Sequence, residues 1–107
     1  MMGLFNMFNK TDINAANSQF ASTPGAVLLD VRSPVEYREG HLPHSQNIPL
    51  ANIHQAEQSV PEKDTPLFVY CLSGGRSGQA VSALKNMGYS NVTNMGGINS
   101  YRGKVEK

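Results

Sequence analysis

The stretch from Leu67 to Ser77 constrains the fold more than any other part of the sequence. An apolar, β-prone run ends at Cys71, a short glycine-containing loop follows, and a helical pattern begins directly after the loop. The helix is indicated by apolar residues spaced along one helix face and by a glycine at the C-cap position, namely Ala80, Val81, Leu84, Met87 and Gly88. A strand, a tight loop and a helix in this order indicate an open α/β sheet, in which ligands bind at the carboxyl ends of the strands. The sequence therefore predicts that Cys71 lies at a binding site.

Three features of this loop predict that the Cys71 thiol is reactive. The N–H groups of the loop and of the first helical turn point toward the sulfur, and the helix dipole adds positive potential. Gly74 and Gly75 permit backbone conformations in which successive amides converge, and Arg76 supplies a permanent cation. Such surroundings lower the pKa of a thiol below its free value of about 8.5. The alternative is a buried structural cysteine. We favour the reactive thiol because turn-forming residues and a charge follow it.

Helical and strand patterns alternate along the rest of the chain. Strands are predicted at 26–31, 46–48, 67–71 and 91–95, and residues 4–8 form either a short first strand or part of a loose arm over 1–10. Helices are predicted after Asp12, from the capping box that begins at Ser33, over 50–58, after the cysteine loop, and after Gly97, where the last one carries Ile98 and Tyr101. This alternation predicts a mainly parallel sheet with right-handed crossovers.

Length and charge restrict the classes of function. A chain of 107 residues is enough for one hydrophobic core, so we expect a single domain over 1–107. The net charge is +1, with no block of like charges, which argues against nucleic acid or an anionic membrane surface as a partner. A single cysteine excludes an internal disulfide and favours a reducing compartment. The apolar start of the chain is too short for a membrane span and lacks the basic leader of a signal peptide, so we expect a cytoplasmic protein.

Several motifs, taken in order, resemble those of one family. The loop Cys71-Leu72-Ser73-Gly74-Gly75-Arg76 resembles the C-x-x-G-x-R active-site loop of single-domain rhodaneses, the sulfurtransferases that carry sulfur as a cysteine persulfide. Other segments resemble the family's strand end, its connecting segment and its final glycine turn, namely Leu28-Leu29-Asp30-Val31-Arg32, Glu36-Tyr37, Gly40-His41-Leu42-Pro43, Asn47-Ile48-Pro49-Leu50 and Gly96-Gly97-Ile98. The resemblance covers residues 26–102. Tyr101 stands where the family often has tryptophan, and His44-Ser45-Gln46 replaces a pattern of smaller residues.

The resemblance implies a rhodanese-like α/β fold, with a mainly parallel sheet of four to five strands and helices on both faces. It implies that Cys71 is the catalytic nucleophile, which takes sulfur from thiosulfate or a persulfide donor and passes it to a thiol or to cyanide. The substrate-binding residues are then those of the loop, Leu72, Ser73, Gly74, Gly75, Arg76 and Ser77. The loop holds only one formal cation, so we expect a modest affinity for thiosulfate, and a protein persulfide is the alternative donor. No cofactor is expected.

Loop length distinguishes two chemistries. The spacing from Cys71 to Arg76 is C-x4-R, whereas phosphatases of the cell-cycle type and arsenate reductases of related fold use C-x5-R. A phosphatase also needs a general acid for its alkoxide leaving group, and none is evident within this loop. Sulfur transfer is therefore favoured over phosphate transfer. A second alternative is a non-catalytic rhodanese-like module for regulation or sulfur carriage, which the intact Cys71, Gly74 and Arg76 argue against.

Other polar residues admit simpler explanations. Asp30 and Arg32, at a predicted strand end, are candidates to support the pocket, and the favoured interpretation is that they brace the loops through hydrogen bonds. His41, His44 and His54 lack the spacing of a metal site, so no metal is expected. We expect His41 to fix a turn by hydrogen bonding and Tyr101 to belong to the core.

Overall fold

The computed structural model describes residues 12–107, so the arm or first strand predicted within residues 1–10 lies outside the described part. Along the chain the elements are α1 (Ile13–Ala21), β1 (Val27–Asp30), α2 (Pro34–Arg38), β2 (Ser45–Asn47), a 3₁₀ helix (Leu50–Gln55), α3 (Ala56–Ser59), β3 (Leu67–Cys71), α4 (Gly75–Asn86), β4 (Val92–Gly97) and a second 3₁₀ helix (Ile98–Ser100). The four strands form one parallel sheet in the order β2-β1-β3-β4. The predicted parallel α/β sheet is confirmed, with four strands in the described residues.

The central strand β3 separates two hydrophobic clusters. All five of its residues are buried, as expected for a strand covered on both faces. On one face Val69 and Cys71 pack with Leu84 of α4 and with Leu29 of β1. On the other face Phe68 and Tyr70 pack with Ile13 of α1, together with Leu28 and Met95. Helices therefore cover both faces of the sheet, as predicted.

Local capping signals in the sequence locate the starts of two helices. Asp12 caps α1 by accepting a hydrogen bond from the Asn14 N–H at 3.0 Å. At α2, the Ser33 hydroxyl accepts from the Glu36 N–H at 3.2 Å, while the Glu36 carboxylate accepts from the Ser33 N–H at 2.9 Å. This is the reciprocal capping box that the sequence predicts. None of the helices described within residues 12–107 is both long and apolar enough to cross a membrane.

Two helix predictions need correction. The helix predicted over 50–58 is a 3₁₀ helix followed by the short α3, with a kink at Asn52 (φ −114°, ψ 23°). The terminal helix predicted to carry Ile98 and Tyr101 is a single 3₁₀ turn, and Tyr101 is extended (φ −76°, ψ 134°). The Arg102 N–H, which would bond to the Ile98 carbonyl in a continuing α-helix, bonds instead to the side chain of Asn14 at 2.9 Å. Tyr101 packs against the cluster on the α1 face, in agreement with its predicted core role.

Strand β4 is longer than predicted, and this matters for the site. It continues through Gly96 and Gly97, which pair with Tyr70 and Cys71 of β3. The register shifts between Val69 and Tyr70, so the ladder contains an irregularity one residue before the cysteine. The two glycines therefore lie beside the end of β3, where the sequence predicted a turn.

Candidate active site

Cys71 lies where the connections of the sheet diverge. From β1 the chain passes to β2 on one side, and from β3 it passes to β4 on the other. The carboxyl ends of β1 and β3 therefore form a topological switch point, the usual ligand-binding position in open α/β sheets. The loop after β3 and the start of α2 after β1 meet above this point.

Backbone amides of the loop surround the Cys71 sulfur. The N–H of Gly74 donates to Sγ at 3.0 Å and the N–H of Ser77 at 3.2 Å. The Ser77 hydroxyl lies 3.4 Å from the same sulfur. Gly74 is in the left-handed region (φ +112°) at the N-cap of α4, a conformation that favours glycine. The loop therefore forms a cradle for a negatively charged sulfur at the start of a twelve-residue helix.

Hydrogen bonds outweigh burial in setting the pKa of Cys71. Burial raises the pKa of this thiol, since a thiolate loses hydration inside the protein. Hydrogen bonds from the hydroxyl and N–H of Ser77 and from the N–H groups of Gly74 and Ser73 lower it more, so the net pKa lies below that of an unperturbed thiol. These bonds favour the nucleophilic thiolate near neutral pH.

Two loop residues act differently from the sequence prediction. Gly75 is the first residue of α4 and does not adopt a positive φ, so the unusual backbone conformation is required at Gly74 alone of the two. The guanidinium of Arg76 is paired with the carboxylate of Glu36, with Nη1–Oε1 and Nη2–Oε2 distances of 2.8 and 2.9 Å. Arg76 remains the permanent cation that the sequence predicts, but Glu36 compensates its charge, and the pair joins the cysteine loop to α2.

Glu36 connects the two loops that flank the switch point. Its carboxylate accepts from Arg76 on α4 and caps α2 through the Ser33 N–H. The hydrogen bonds from Arg76 and from the Ser33 backbone hold the pKa of this carboxyl at about 2, compared with its ordinary value of 4.5. Sequence reasoning assigned Glu36 only a capping role, because its partner lies 40 residues further along the chain.

Replacing Glu36 by glutamine tests the contribution of this ion pair. Glutamine keeps an oxygen for the Ser33 N–H but loses the charge that pairs with Arg76. Because the folded-state pKa is depressed, the stabilisation is present above pH 4.5 and is lost as the pH falls toward 2. The Arg76 side chain is 37% exposed, so after allowing for solvent screening we expect Glu36→Gln to cost about 1 kcal/mol at pH 7. Urea unfolding at pH 7 and at about pH 2.5 measures the difference, which should shrink in acid.

Glu57→Gln is the matched control for this prediction. Glu57 forms an exposed ion pair with Lys63 at 3.2 Å, with the two side chains 53% and 40% exposed. Such a surface pair contributes little to stability. An equal loss for Glu36→Gln at both pH values would instead assign the effect to packing of the capping box.

Asp30 and Arg32 brace the connection after β1. Both are buried, and the guanidinium of Arg32 donates to the Asp30 carboxylate at 2.6 to 3.0 Å and to the carbonyl of Gly40 at 2.7 Å. Asn47 donates to the carbonyls of Asp30 and Arg32 at 3.0 and 2.9 Å. The predicted bracing role is the one these contacts support, and it fixes the position of α2 relative to the sheet.

The three histidines lie apart from the thiol cradle. His41 stacks on Tyr37 with ring centroids 3.7 Å apart, and its Nδ1 lies 2.8 Å from the Tyr37 carbonyl, so it fixes the turn as predicted. His44 occupies a turn with φ +73°, and His54 belongs to the first 3₁₀ helix. Across residues 12–107, no group of three or more histidine, cysteine or acidic side chains is arranged to hold a metal ion.

A cavity of about 340 Å³ adjoins the cysteine loop. Its lining is polar and uncharged, formed by Ser73, Gly74, Asn94, Gly96, Asn99 and Ser100 together with Ile13 and Gly97. A larger cavity of about 450 Å³ lies near the opposite end of β1 and is lined by residues such as Phe20, Val27 and Gln46. The smaller cavity shares Ser73 and Gly74 with the cradle, although Cys71 itself does not line it.

Asn94 is the second residue of this site that sequence reasoning missed. Its side-chain oxygen lies 2.8 Å from the Ser77 hydroxyl and accepts from the Gly96 N–H at 2.9 Å. A signal was available, because asparagine is unfavourable in strands and stands here in the middle of β4.

Comparisons with known proteins agree with this geometry. Residues 14–104 match the family described as "Rhodanese-like domain". A protein of Allochromatium vinosum named "Sulfurtransferase" is 36% identical over 93 residues, which cover 86% of each chain. "Thiosulfate sulfurtransferase PspE" of Escherichia coli is 41% identical over 71 residues, which cover 65% of this chain and 68% of the relative.

A solved structure supports the same assignment. The structure described as "rhodanese with anions from E. coli" superposes with a TM-score of 0.72 at 36% identity, covering 77% of this chain and 98% of that one. The family match spans most of the chain and includes the cysteine loop, the Asp30–Arg32 brace and the glycine pair of β4. This chain therefore belongs to the rhodanese-like domain family.

Proposed function

We propose that this protein is a sulfurtransferase that carries sulfane sulfur as a persulfide on Cys71. The observation that carries the proposal is the cradle around this sulfur, in which two N–H groups lie within 3.2 Å of Sγ and lower the pKa of the thiol. A thiolate is the nucleophilic form of cysteine, so the geometry supports covalent catalysis at Cys71. The sulfurtransferase names of the relatives point to the same reaction class.

The first step is a displacement at sulfur. The Cys71 thiolate attacks the outer sulfur of thiosulfate, forming a new S–S bond while the original S–S bond breaks and sulfite leaves with the electron pair. The product is Cys71–S–S⁻, and the total charge is the same on both sides. A persulfide donor reacts in the same way and releases a thiolate. Neither leaving group requires a positioned acid, which is consistent with a loop that contains none.

The loop then holds the transferred sulfur. Amides of residues 72–77 and the dipole of α4 then stabilise negative charge near Sγ, a role supported by the bonds from Gly74 and Ser77. In the second step a thiol or cyanide attacks the outer sulfur and Cys71 leaves as a thiolate. Because the chain has a single cysteine, the persulfide cannot collapse into an internal disulfide and must pass its sulfur to another molecule.

The charges at the site favour a persulfide donor over thiosulfate. Arg76 is the only cation of the loop, and its guanidinium is already paired with Glu36. Thiosulfate carries two negative charges, so a cradle with no uncompensated cation attracts it weakly. A persulfide carries at most one, and a protein donor adds contacts beyond the loop. Thiosulfate is then a substrate of modest affinity. The cytoplasmic location and the absence of nucleic-acid and membrane partners stay predictions.

Intact mass measurement tests the proposed function. The purified protein is incubated with thiosulfate, or with glutathione persulfide in a second sample, and cyanide is then added. We expect a gain of about 32 Da, one sulfur atom, that cyanide removes. A gain from the persulfide alone would identify the donor class. No gain from either donor would overturn the proposal and leave a non-catalytic module. Hydrolysis of an aryl phosphate that depends on Cys71 would instead favour phosphatase chemistry.

A further inference from the structure

The Ser77 hydroxyl has one proton and three neighbouring groups that can accept it. Its Oγ lies 2.8 Å from the side-chain oxygen of Asn94, 3.1 Å from the Gly74 carbonyl and 3.4 Å from the Cys71 sulfur. Ser77 is fully buried, so its hydroxyl is shielded from bulk water. A hydroxyl donates a single hydrogen bond, and which of these acceptors is favoured depends on the charge of the sulfur.

The backbone of β4 fixes the orientation of the Asn94 amide. The Gly96 N–H is a donor only and lies 2.9 Å from the Asn94 Oδ1, so this oxygen, and not the amide nitrogen, faces Gly96 and Ser77. Gly96 has φ +96°, and its pairing with Tyr70 follows the register shift of the β3–β4 ladder. The irregular end of β4 therefore presents a fixed hydrogen-bond acceptor to the hydroxyl beside Cys71.

We propose that Asn94 is a positioning residue that acts on Cys71 through Ser77. When Sγ carries no charge, the Ser77 hydroxyl donates to Asn94 and its oxygen can accept from the thiol. When Sγ is a thiolate, the hydroxyl turns and donates to the sulfur instead. Asn94 thus stabilises the uncharged forms of Sγ, and Ser77 stabilises the charged form.

In a reaction cycle this exchange would affect the lifetime of the persulfide, a consequence that depends on the proposed function. In Cys71–S–S⁻ the charge lies on the outer sulfur, so Sγ is uncharged and the hydroxyl is free to donate to Asn94. When an acceptor thiolate takes the outer sulfur, the S–S bond breaks and its electron pair returns to Sγ. The hydroxyl then turns to the departing thiolate. Asn94 therefore slows release and Ser77 assists it.

The charged side chains near Cys71 are held in ion pairs, so the hydrogen bond of Ser77 is the interaction with the sulfur that can change. On α4 and its loop the nearby cation is Arg76, which is paired with Glu36 of α2. At the end of β1, Asp30 is paired with Arg32. Strand β4, with the sequence VTNMGG, contributes no charge.

A double-mutant cycle read by alkylation tests the proposal without requiring sulfur transfer. The rate of iodoacetamide reaction with Cys71 is measured against pH in wild type, Asn94→Ala, Ser77→Ala and the double variant. We expect Ser77→Ala to raise the pKa by about 1 unit and Asn94→Ala to lower it by about 0.5 unit, from the usual strength of one hydrogen bond. The double variant should titrate like Ser77→Ala alone, because the effect of Asn94 is transmitted by the hydroxyl.

The cycle separates positioning from a merely structural role. If Asn94 only holds the end of β4, its loss would leave the pKa unchanged or raise it, and would do so whether or not Ser77 is present; either result overturns the proposal. Asn94→Asp retains the oxygen for both partners and serves if Asn94→Ala does not fold. Asn94→Asp should raise the pKa of Cys71 more when residue 77 is serine than when it is alanine. Equal rises in the two backgrounds would contradict the proposal.

Persulfide lifetime gives an independent second measurement. In protein loaded with one sulfur, Asn94→Ala should speed removal by cyanide about twofold to threefold, and Ser77→Ala should slow it, by the same hydrogen-bond strength. Failure of every variant to load sulfur would contradict the proposed function and leave the alkylation cycle to decide the role of Asn94.

Discussion

Cys71→Ser is expected to reduce sulfur transfer at least about 10³-fold, to the background of the uncatalysed reaction. A serine hydroxyl is not ionised near neutral pH, and the cradle of N–H groups at 3.0 and 3.2 Å is built to stabilise a charged sulfur. Formation of thiocyanate from thiosulfate and cyanide measures turnover, and glutathione persulfide replaces thiosulfate in a parallel assay. The variant should also gain no sulfur by intact mass.

The loss must be chemical and not a consequence of unfolding. Cys71 is buried, but the groups around it are hydrogen-bond donors that can bond to a hydroxyl oxygen, so we expect the urea midpoint to change little. Ser77→Ala is the companion variant, since it removes one donor to Sγ and keeps the nucleophile. It should retain measurable turnover. Turnover near the wild-type level in folded Cys71→Ser would contradict nucleophilic catalysis by this residue.

The sheet could be predicted because the sequence of its central strand leaves few alternatives. Five consecutive apolar or aromatic residues, Leu67–Cys71, form a strand that is buried along its whole length. Such a run, followed by a loop and an amphipathic helix, is typical of parallel sheets covered on both faces. The capping box at Ser33 similarly located α2. These signals lie within a few neighbouring residues, so a single sequence is enough to predict the elements that they define.

The ends of short elements depended on contacts that the sequence does not display. The turn after Gly97 could have continued as a helix, yet the Arg102 N–H bonds to the side chain of Asn14 on α1 and not to the Ile98 carbonyl. This bond joins segments 88 residues apart, and helix propensity gives no sign of it. Extension of β4 through Gly96 and Gly97 has the same origin, in pairing with Tyr70 and Cys71.

The sequence predicted the cysteine loop of the candidate site but not the residues from other elements that contact this loop. The position of Cys71 at a strand end and the left-handed glycine at Gly74 follow from the pattern of the loop itself. The pairing of Arg76 with Glu36 and of Ser77 with Asn94 joins different loops and strands. Both pairs change the expected chemistry, since the first compensates the only cation of the loop and the second competes for the hydroxyl beside the thiol.

Gly97→Ala is expected to disrupt the cysteine loop and destabilise the protein by about 3 kcal/mol or more, at the upper end of overpacking effects. Gly97 is extended (φ −118°, ψ 140°), so its backbone conformation suits any residue and the constraint is purely steric. A Cβ atom there would lie 2.2 Å from the Leu72 carbonyl oxygen and 2.5 Å from the Ser73 Cα. Both are backbone atoms of the loop, which would have to move away from β4.

Movement of this loop should remove the N–H groups from the Cys71 sulfur. Burial alone raises the pKa of the thiol, so without these bonds the pKa returns upward and less thiolate is present at pH 7. We expect alkylation at pH 7 to slow about tenfold, which corresponds to a pKa change of about 1 unit. Urea unfolding and the pH dependence of alkylation measure the two effects.

Gly75→Ala is the matched control, because it adds the same methyl group next to the cysteine loop, at the start of α4, where the surrounding space is open. A Cβ at Gly75 meets no atom within 4 Å, and the residue opens α4 without a positive φ. Alanine there should leave the alkylation profile unchanged and stabilise the helix slightly, by up to about 1 kcal/mol. If both variants behaved like wild type, the contact between β4 and the loop would not determine the reactivity of Cys71. If only Gly97→Ala lost reactivity, the close approach of the Gly97 backbone to Leu72 would be what holds the cradle around the sulfur.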